Sequence, residues 1–346
     1  DYRFVGAMRL SADLKSNEFL LSYENRVHRW DKQLVLYRQS FPVERSAGAP
    51  KVLTQQAKYI IKYPFNEVAS LRGSIAYRND RLTYLSTDLQ GLKEPTQYEN
   101  WGIAKLEYVF DNTINRGINL YYGTRFKAFG EYFNKLSKDN LNMAVLGFDL
   151  RHYHKIHRNL IWANRLAAST SFGKQKLVYY LGSVDNWLNV GRYSTFNEKQ
   201  AIDYTQNYGY QTLATNLRGF NQNIRNGNSF AVLNSEIRFP VFNYLFNRPL
   251  RSDFLNNFQL IGFGDVGAAW TGKSPYSNDN SFNTETISQQ PIKVYLKSQR
   301  EPIVGGYGFG LRSRLFGYFV RTDWAWGIED GEVKPYIFYL SFSLDF

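Results

Sequence analysis

Arg218 stands in the run Asn216-Leu217-Arg218-Gly219-Phe220. Two carboxylates follow it on segments of strand character: Glu236 in Asn234-Ser235-Glu236-Ile237-Arg238-Phe239-Pro240, and Asp265 in Phe263-Gly264-Asp265-Val266-Gly267. A guanidinium presents a rigid fork of donors, and one that reaches a pair of carboxylates makes short, charge-assisted bonds of fixed direction. The chemistry of such a trio is fastening. Where the dielectric is reduced, it would pin the segment carrying Arg218 to the wall carrying Glu236 and Asp265. Gly219 would let the backbone turn tightly at the tip, and Phe220 would pack against that wall. Paired carboxylates also serve glycoside hydrolysis, but nothing else suggests a sugar cleft, and arginine is the nearer companion.

The other candidates for chemistry are weaker. His152-Tyr153-His154-Lys155-Ile156-His157 puts His152 and His154 on one strand face, yet no nearby acidic residue completes a metal shell. Asn278, Asp279, Asn280 and Asn283 offer oxygen ligands without the spacing of a calcium loop. The sequence shows no Ser-His-Asp order, phosphate-cradling loop or nucleotide fingerprint. It contains no cysteine, which excludes a disulfide framework and thiolate chemistry. The expectation is a non-enzymatic protein with no catalytic residue, no metal and no cofactor.

Strands must position these groups. The chain is 43% hydrophobic, with a mean hydropathy of -0.44, and no stretch approaches the roughly 18 apolar residues of a spanning helix. Alternating segments recur instead, separated by Gly, Asn, Asp and Ser. They span 3–12, 18–26, 30–41, 51–64, 67–78, 98–112, 119–134, 141–155, 159–173, 228–241, 255–270, 303–315, 317–326 and 335–346. One face of each is charged and the other apolar. In 98–112, Ala104, Leu106, Tyr108 and Phe110 oppose Lys105, Glu107 and Asp111; in 119–134, Leu120, Tyr122, Phe126 and Tyr132 oppose Arg125, Lys127 and Glu131. Near Arg218's partners, Asn234, Glu236 and Arg238 oppose Leu233, Ile237, Phe239 and Val241.

A soluble sandwich uses shorter strands, of about 5–6 residues, with its apolar side inward. Long strands with lumen-facing charge and lipid-facing apolar residues predict an all-β fold, a transmembrane antiparallel up-and-down β-barrel with about fourteen strands visible. Aromatic residues make 17% of the chain, enough to furnish interfacial girdles. The net charge of +12 is spread along the chain without a basic run or nucleic-acid module, so it fits a cationic lumen and lipid phosphates better than nucleic acid.

Connections alternate in length. Those at about 42–50, 79–97, 135–140, 174–227, 271–302 and 327–334 fall on one end; turns near 28, 66, 115, 157 and 316, with a longer link at 242–254, fall on the other. The stretch 174–227 far exceeds the roughly 12–15 residues at which a structureless loop needs a reason, and is expected to be an extracellular loop inserted into the lumen. Residues 1–346 are expected to form a single barrel domain. Asp1-Tyr2-Arg3 lacks the features of a signal peptide and starts almost inside a strand, so a hairpin and a periplasmic domain are expected upstream. At the other end, Phe338, Leu340, Phe342, Leu344 and Phe346 share one parity, opposite Tyr339, Ser341, Ser343 and Asp345. That alternation predicts an amphipathic closing strand.

Together the Arg-Gly-Phe tip, the strand 234–240, the Phe-x-Asp-x-Gly strand 263–267, the Gly-rich run 305–312, Arg321-x-Asp323 and the final Phe346 resemble the Omp85 superfamily of bacterial outer-membrane barrels, with their surface-antigen type of C-terminal barrel. The resemblance is strong over about 216–346 and weaker over 98–173. It implies sixteen strands, a loop locked in the lumen by Arg218 through Glu236 and Asp265, lumen-facing support from Arg238, Arg321 and Asp323, and a lateral seam between the first and last strands, the last carrying Phe338, Leu340, Phe342, Leu344 and Phe346. It also implies a place in outer-membrane protein assembly or translocation, with outer-membrane lipids and envelope client or partner proteins as neighbours. The alternative is a barrel anchor or interaction subunit of a larger envelope complex whose activity lies in another domain or partner.

Overall fold

The computed structural model describes residues 1–10, 16–42, 51–83, 95–137, 139–189, 195–203, 205–246, 250–289, 292–297 and 300–346. Their strands are β1 Tyr2–Leu10, β2 Asn17–Asn25, β3 Asp31–Pro42, β4 Lys51–Pro64, β5 Ala69–Thr83, β6 Gln97–Asp111, β7 Ile114–Gly117, β8 Leu120–Lys135, β9 Asn142–His157, β10 Leu160–Gly173, β11 Lys176–Leu181, β12 Tyr208–Leu213, β13 Arg225–Gly227 and β14 Ser229–Phe239. Two short helices follow, α1 Val241–Leu245 and α2 Asp253–Asn256, then β15 Gln259–Trp270, β16 Thr284–Gln289, β17 Ile292–Lys297, β18 Val304–Leu315, β19 Tyr318–Glu329, β20 Glu332–Val333 and β21 Ile337–Ser341. No helix among the described residues is long and apolar enough to cross a membrane.

One 16-stranded sheet runs in the order β1-β2-β3-β4-β5-β6-β8-β9-β10-β14-β15-β18-β19-β20, with β21 on β19 and β7 on β8. β7 and β20 are fragments of 4 and 2 residues beside the turns that precede β8 and follow β19. The other strands coincide with the alternating segments of the sequence. Tight turns set their registers. Phe316-Gly317 and Asp330-Gly331 both have positive φ at the two central residues, as type I′ hairpin turns require, and they pair Leu315 with Tyr318 and Glu329 with Glu332. The expected links 42–50 and 79–97 fall largely outside the described residues.

Contacts divide the chain into two compact units. The first, Asp1–Val109 with Ala128–Val145, is mostly a meander of long hairpins. Leu21, Leu34, Leu36, Tyr59, Ile75, Tyr77 and Leu106 are exposed on one face. Lys58, Lys62, Arg72, Lys105, Asp31 and Glu107 line a polar cavity of about 450 Å³ on the other. Its buried apolar side chains include Trp101, Ile103, Phe133, Met143 and Val145.

The second unit, Phe110–Lys127 with Leu146–Phe346, has the same pleat and a filled inner face. Leu233, Ile237, Val266, Tyr307 and Phe309 are exposed, while Glu236, Arg238, Asp265, Arg312, Arg321 and Asp323 are at most 3% exposed. Outside, Phe309 stacks on Trp324 at 5.4 Å and Trp324 meets Phe338 at 5.0 Å. The filling comes from the stretch between β10 and β14, which is a folded insert: a three-stranded sheet with β11 between parallel β12 and antiparallel β13. Its Tyr179, Leu181, Leu217 and Phe220 form one core with Phe230, Val232, Ala269 and Val304 of the wall.

The structure departs from the sequence reading in several places. The link after β14 carries α1 and α2, the latter capped by the Ser252 hydroxyl accepting from the Leu255 amide. The connection 271–302 contains the β16–β17 hairpin. Leu120, expected to face lipid, is 3% exposed and packs with Tyr153, Ile161 and Ala163; Gly123, at φ 108° inside β8, breaks the pleat between it and the rest of the strand. The closing strand is also shorter than 335–346. β21 ends at Ser341, and although Phe342 and Leu344 remain exposed, Phe346 packs beside the Leu120 and Tyr153 cluster. Buried cations are the physical reason: Asp345 bonds Arg312 and Arg321, and the Phe346 carbonyl accepts from Arg238.

Candidate functional site: the Arg218 junction

Arg218 lies in the insert beyond β12, while Glu236 and Asp265 lie on neighbouring strands β14 and β15. Asn234 pairs with Asp265 and Glu236 with Phe263 in that ladder, so both carboxylates emerge on the inner face within one guanidinium's reach. Gly219, at φ 95°, turns the chain sharply behind the arginine.

The guanidinium binds both carboxylates. Arg218 Nε and Nη2 donate to Asp265 Oδ2 and Oδ1, each at 2.7 Å, and Nη1 donates to Glu236 Oε1 at 2.6 Å. The Arg218 amide adds a bond to Asp265 Oδ2 at 3.1 Å. Beneath it lies the Phe263 ring, 3.6 Å from the guanidinium carbon, the geometry of a cation over a ring face. Burial alone would lower the guanidinium's pKa, but the facing carboxylates of Asp265 and Glu236 hold it well above its ordinary value. The arginine therefore stays charged.

The wall is shaped for the tip. Gly306 of β18 lies against the Arg218 carbonyl, and Gly327 of β19 against the Gly219 carbonyl and Phe220 ring. A methyl group at either position would occupy space the tip already fills. Tyr339 of β21 accepts from the Gly219 amide at 3.0 Å and donates to the Phe220 carbonyl at 2.7 Å. Asn234 joins the tip to the wall, donating to the Asn216 carbonyl at 3.0 Å and to Asp265 Oδ1 at 2.8 Å.

A second charged layer adjoins the first. Arg238 donates to Glu236 Oε2 at 3.0 Å and, through its terminal nitrogens, to the Asn119 and Phe346 carbonyls, each at 3.0 Å. Arg312 bonds Asp323 at 2.8 Å and Asp345 at 2.8 Å, and Arg321 reaches Asp345 at 3.2 Å. Asn119 donates to Asp345 Oδ2 at 2.8 Å. The structure thus brings Arg218, Gly219, Phe220, Glu236, Asp265 and Arg238 together, with Arg321 and Asp323 in the adjoining layer. Phe338, Leu340, Phe342 and Leu344 are outside that cluster.

Sequence reasoning missed Tyr339, Asp345, Arg312 and Asn119. Tyr339 and Asp345 carried a signal, since both lie on the polar parity of the closing strand. Asn119, in a turn, carried none. His152 is exposed, and its Nδ1 is 2.9 Å from the Thr124 hydroxyl. Buried arginines that bond carboxylates and backbone carbonyls in this way can bind, hold and orient chain segments.

No family model matches the chain, and no curated protein matches it in sequence. The structure of BamA from Haemophilus ducreyi lacking POTRA domains 1-3 is similar, with a TM-score of 0.58 and 14% identity over 94% of this chain and 62% of that one. CdiB from Acinetobacter baumannii is similar at a TM-score of 0.49 and 12% identity, over 94% of this chain and 49% of that one. The chain therefore spans about three fifths of the BamA chain it matches. The BamA likeness shows the fold: an all-β, antiparallel β-barrel of the BamA type.

Proposed function

We propose that this chain is the barrel of an Omp85-type protein of the bacterial outer membrane, acting without catalysis in the assembly or translocation of other envelope proteins. The observation that carries this reading is the Arg218 junction. A folded insert reaches the inner face of the wall and is fixed there by three bonds from one side chain to two carboxylates. In this reading Arg218 is the lock, Glu236 and Asp265 are its wall partners, and Arg238, Arg321 and Asp323 support the wall beside it. The ladder of Phe309, Trp324 and Phe338, exposed at Phe309 and Phe338, would face lipid, where aromatic side chains favour the membrane interface. Client strands would be received at β21, since a sheet edge offers unpaired backbone groups to an extended chain.

The direct test is insertion of a urea-unfolded, eight-stranded outer-membrane protein into liposomes that contain the purified full-length protein. Acceleration over empty liposomes is expected. Arg218→Ala should reduce that acceleration and also lower the temperature at which the barrel loses its compact mobility on SDS gels. If Arg218→Ala leaves insertion and barrel stability both unchanged, the locking role is wrong.

A further inference from the structure

At its C-terminal end, Leu340–Ser341, the edge of β21 opposite β19 is already occupied by the chain itself. Ser341 pairs with Arg321 of β19 and also forms an antiparallel bridge with Trp187 of the insert. A strand residue has two sides, so these partners lie on opposite edges. The Leu188 amide donates to the Leu340 carbonyl at 2.7 Å, and the Trp187 ring meets Tyr339 edge-on at 4.8 Å.

The segment is built for this position. Gly182, Ser183 and Asn186 all take positive φ, at 118°, 70° and 54°, which turns the chain twice within a few residues. The Ser183 amide donates to the Phe220 carbonyl at 3.0 Å and the Ser183 carbonyl accepts from the Leu217 amide at 3.1 Å. The Asp185 amide donates to Asn216 Oδ1 at 3.0 Å. Val184 belongs to the buried cluster of Ile261, Phe263, Ala325 and Tyr339, with Trp187 packed against it. The strap over β21 and the Arg218 tip are therefore two ends of one hydrogen-bonded piece, and Tyr339 touches both.

We infer that Val184–Leu188 is an internal strap on the strand-accepting edge of β21, which an incoming extended polypeptide must displace to pair there. The strap is a competitor built into the chain. It offers one backbone bond and one aromatic contact, enough to shield the edge from casual pairing and little enough for a longer strand to replace. This rests on the proposed client-receiving role of β21; the presence of the strap does not.

The absence of native cysteine makes the test clean. A Trp187→Cys/Ser341→Cys pair stands at a bridge flanked by the Leu188 to Leu340 bond, the wide pairing at which opposed side chains approach closely and a disulfide can form. In the folded barrel this pair should oxidise and shift gel mobility reversibly, and neither single variant should. Absence of that cross-link in a barrel that retains its compact mobility overturns the strap.

The second arm uses the same unfolded eight-stranded protein, carrying one cysteine in its last strand. Its mixed disulfide with Ser341→Cys should rise about fivefold when Trp187→Gly removes the ring that packs on Tyr339, the factor that one lost aromatic pair carries. Oxidising the Trp187→Cys/Ser341→Cys pair should abolish insertion, and reductant should restore it in the same sample. Insertion unaffected by the oxidised pair overturns the gating role. A cross-link that forms normally while even the unaltered barrel fails to accelerate insertion overturns the assembly reading and leaves the strap standing.

Discussion

The two units share a pleat and differ in what meets their charged faces. In the first unit, charges line an open polar cavity, where Arg72 of β5 and Glu107 of β6 are 3.6 Å apart and the Arg72 side chain is 41% exposed. In the unit of β14 to β21, charges of the same types are covered by the insert and the chain's own last residues, and the Arg218 and Asp265 side chains are 4% and 0% exposed. Alternation makes a wall in both. Only the covered wall turns its charges into fasteners, because an ion pair in water gains little while a desolvated one must be satisfied completely.

The largest effect is expected at Asp265. Asp265→Ala leaves Arg218 buried with one carboxylate, and should destabilise the barrel by about 3–5 kcal/mol, the magnitude of a broken buried pair, read as a fall in the melting temperature of the compact form. Next come the glycines under the tip. Gly306→Ala and Gly327→Ala should each destabilise by roughly 1–3 kcal/mol through overpacking. Gly262→Ala and Gly264→Ala are the controls, since a Cβ there meets nothing within 4 Å, and should change stability by less than about 0.5 kcal/mol. Tyr339→Phe removes the hydroxyl that bonds the Gly219 amide and Phe220 carbonyl and should lose about 1–3 kcal/mol. The smallest change is expected from Glu107→Gln in the open unit, within about 1 kcal/mol for a loose 3.6 Å pair whose arginine is 41% exposed. If Glu107→Gln proved as damaging as Asp265→Ala, the contrast between the units would collapse.

How much of this is legible in the sequence follows from the same physics. Strand segments could be read because each has one wet and one apolar side, so the period of two survives along its length. The trio of Arg218, Glu236 and Asp265 could be read because two carboxylates on one parity of adjacent strands need a cation. The sheet of β11, β12 and β13 was hidden. Leu177-Val178-Tyr179-Tyr180-Leu181 is apolar throughout because both of its faces are covered, and such a run gives no alternation to detect. The inward bend after Ser341 was hidden for a different reason. Its cause is Arg312 and Arg321, in segments far from the tail they attract, while the tail's own alternation continues as though the strand did.

Tyr339 also bears on the order in which the chain can assemble. Its hydroxyl joins Gly219 across a sequence separation of 120 residues, and Arg238 joins Phe346 across 108. Contacts that span so much chain are slow to find, since loop closure must precede any gain from them. We expect the insert to hold its shape before β18, β19 and β21 arrive, so that Gly306 and Gly327 close around a tip already in place. The insert then serves as the mould on which the last strands set. Pulse-labelled hydrogen exchange during refolding should find the amides of β11 and β13 protected before those of β21.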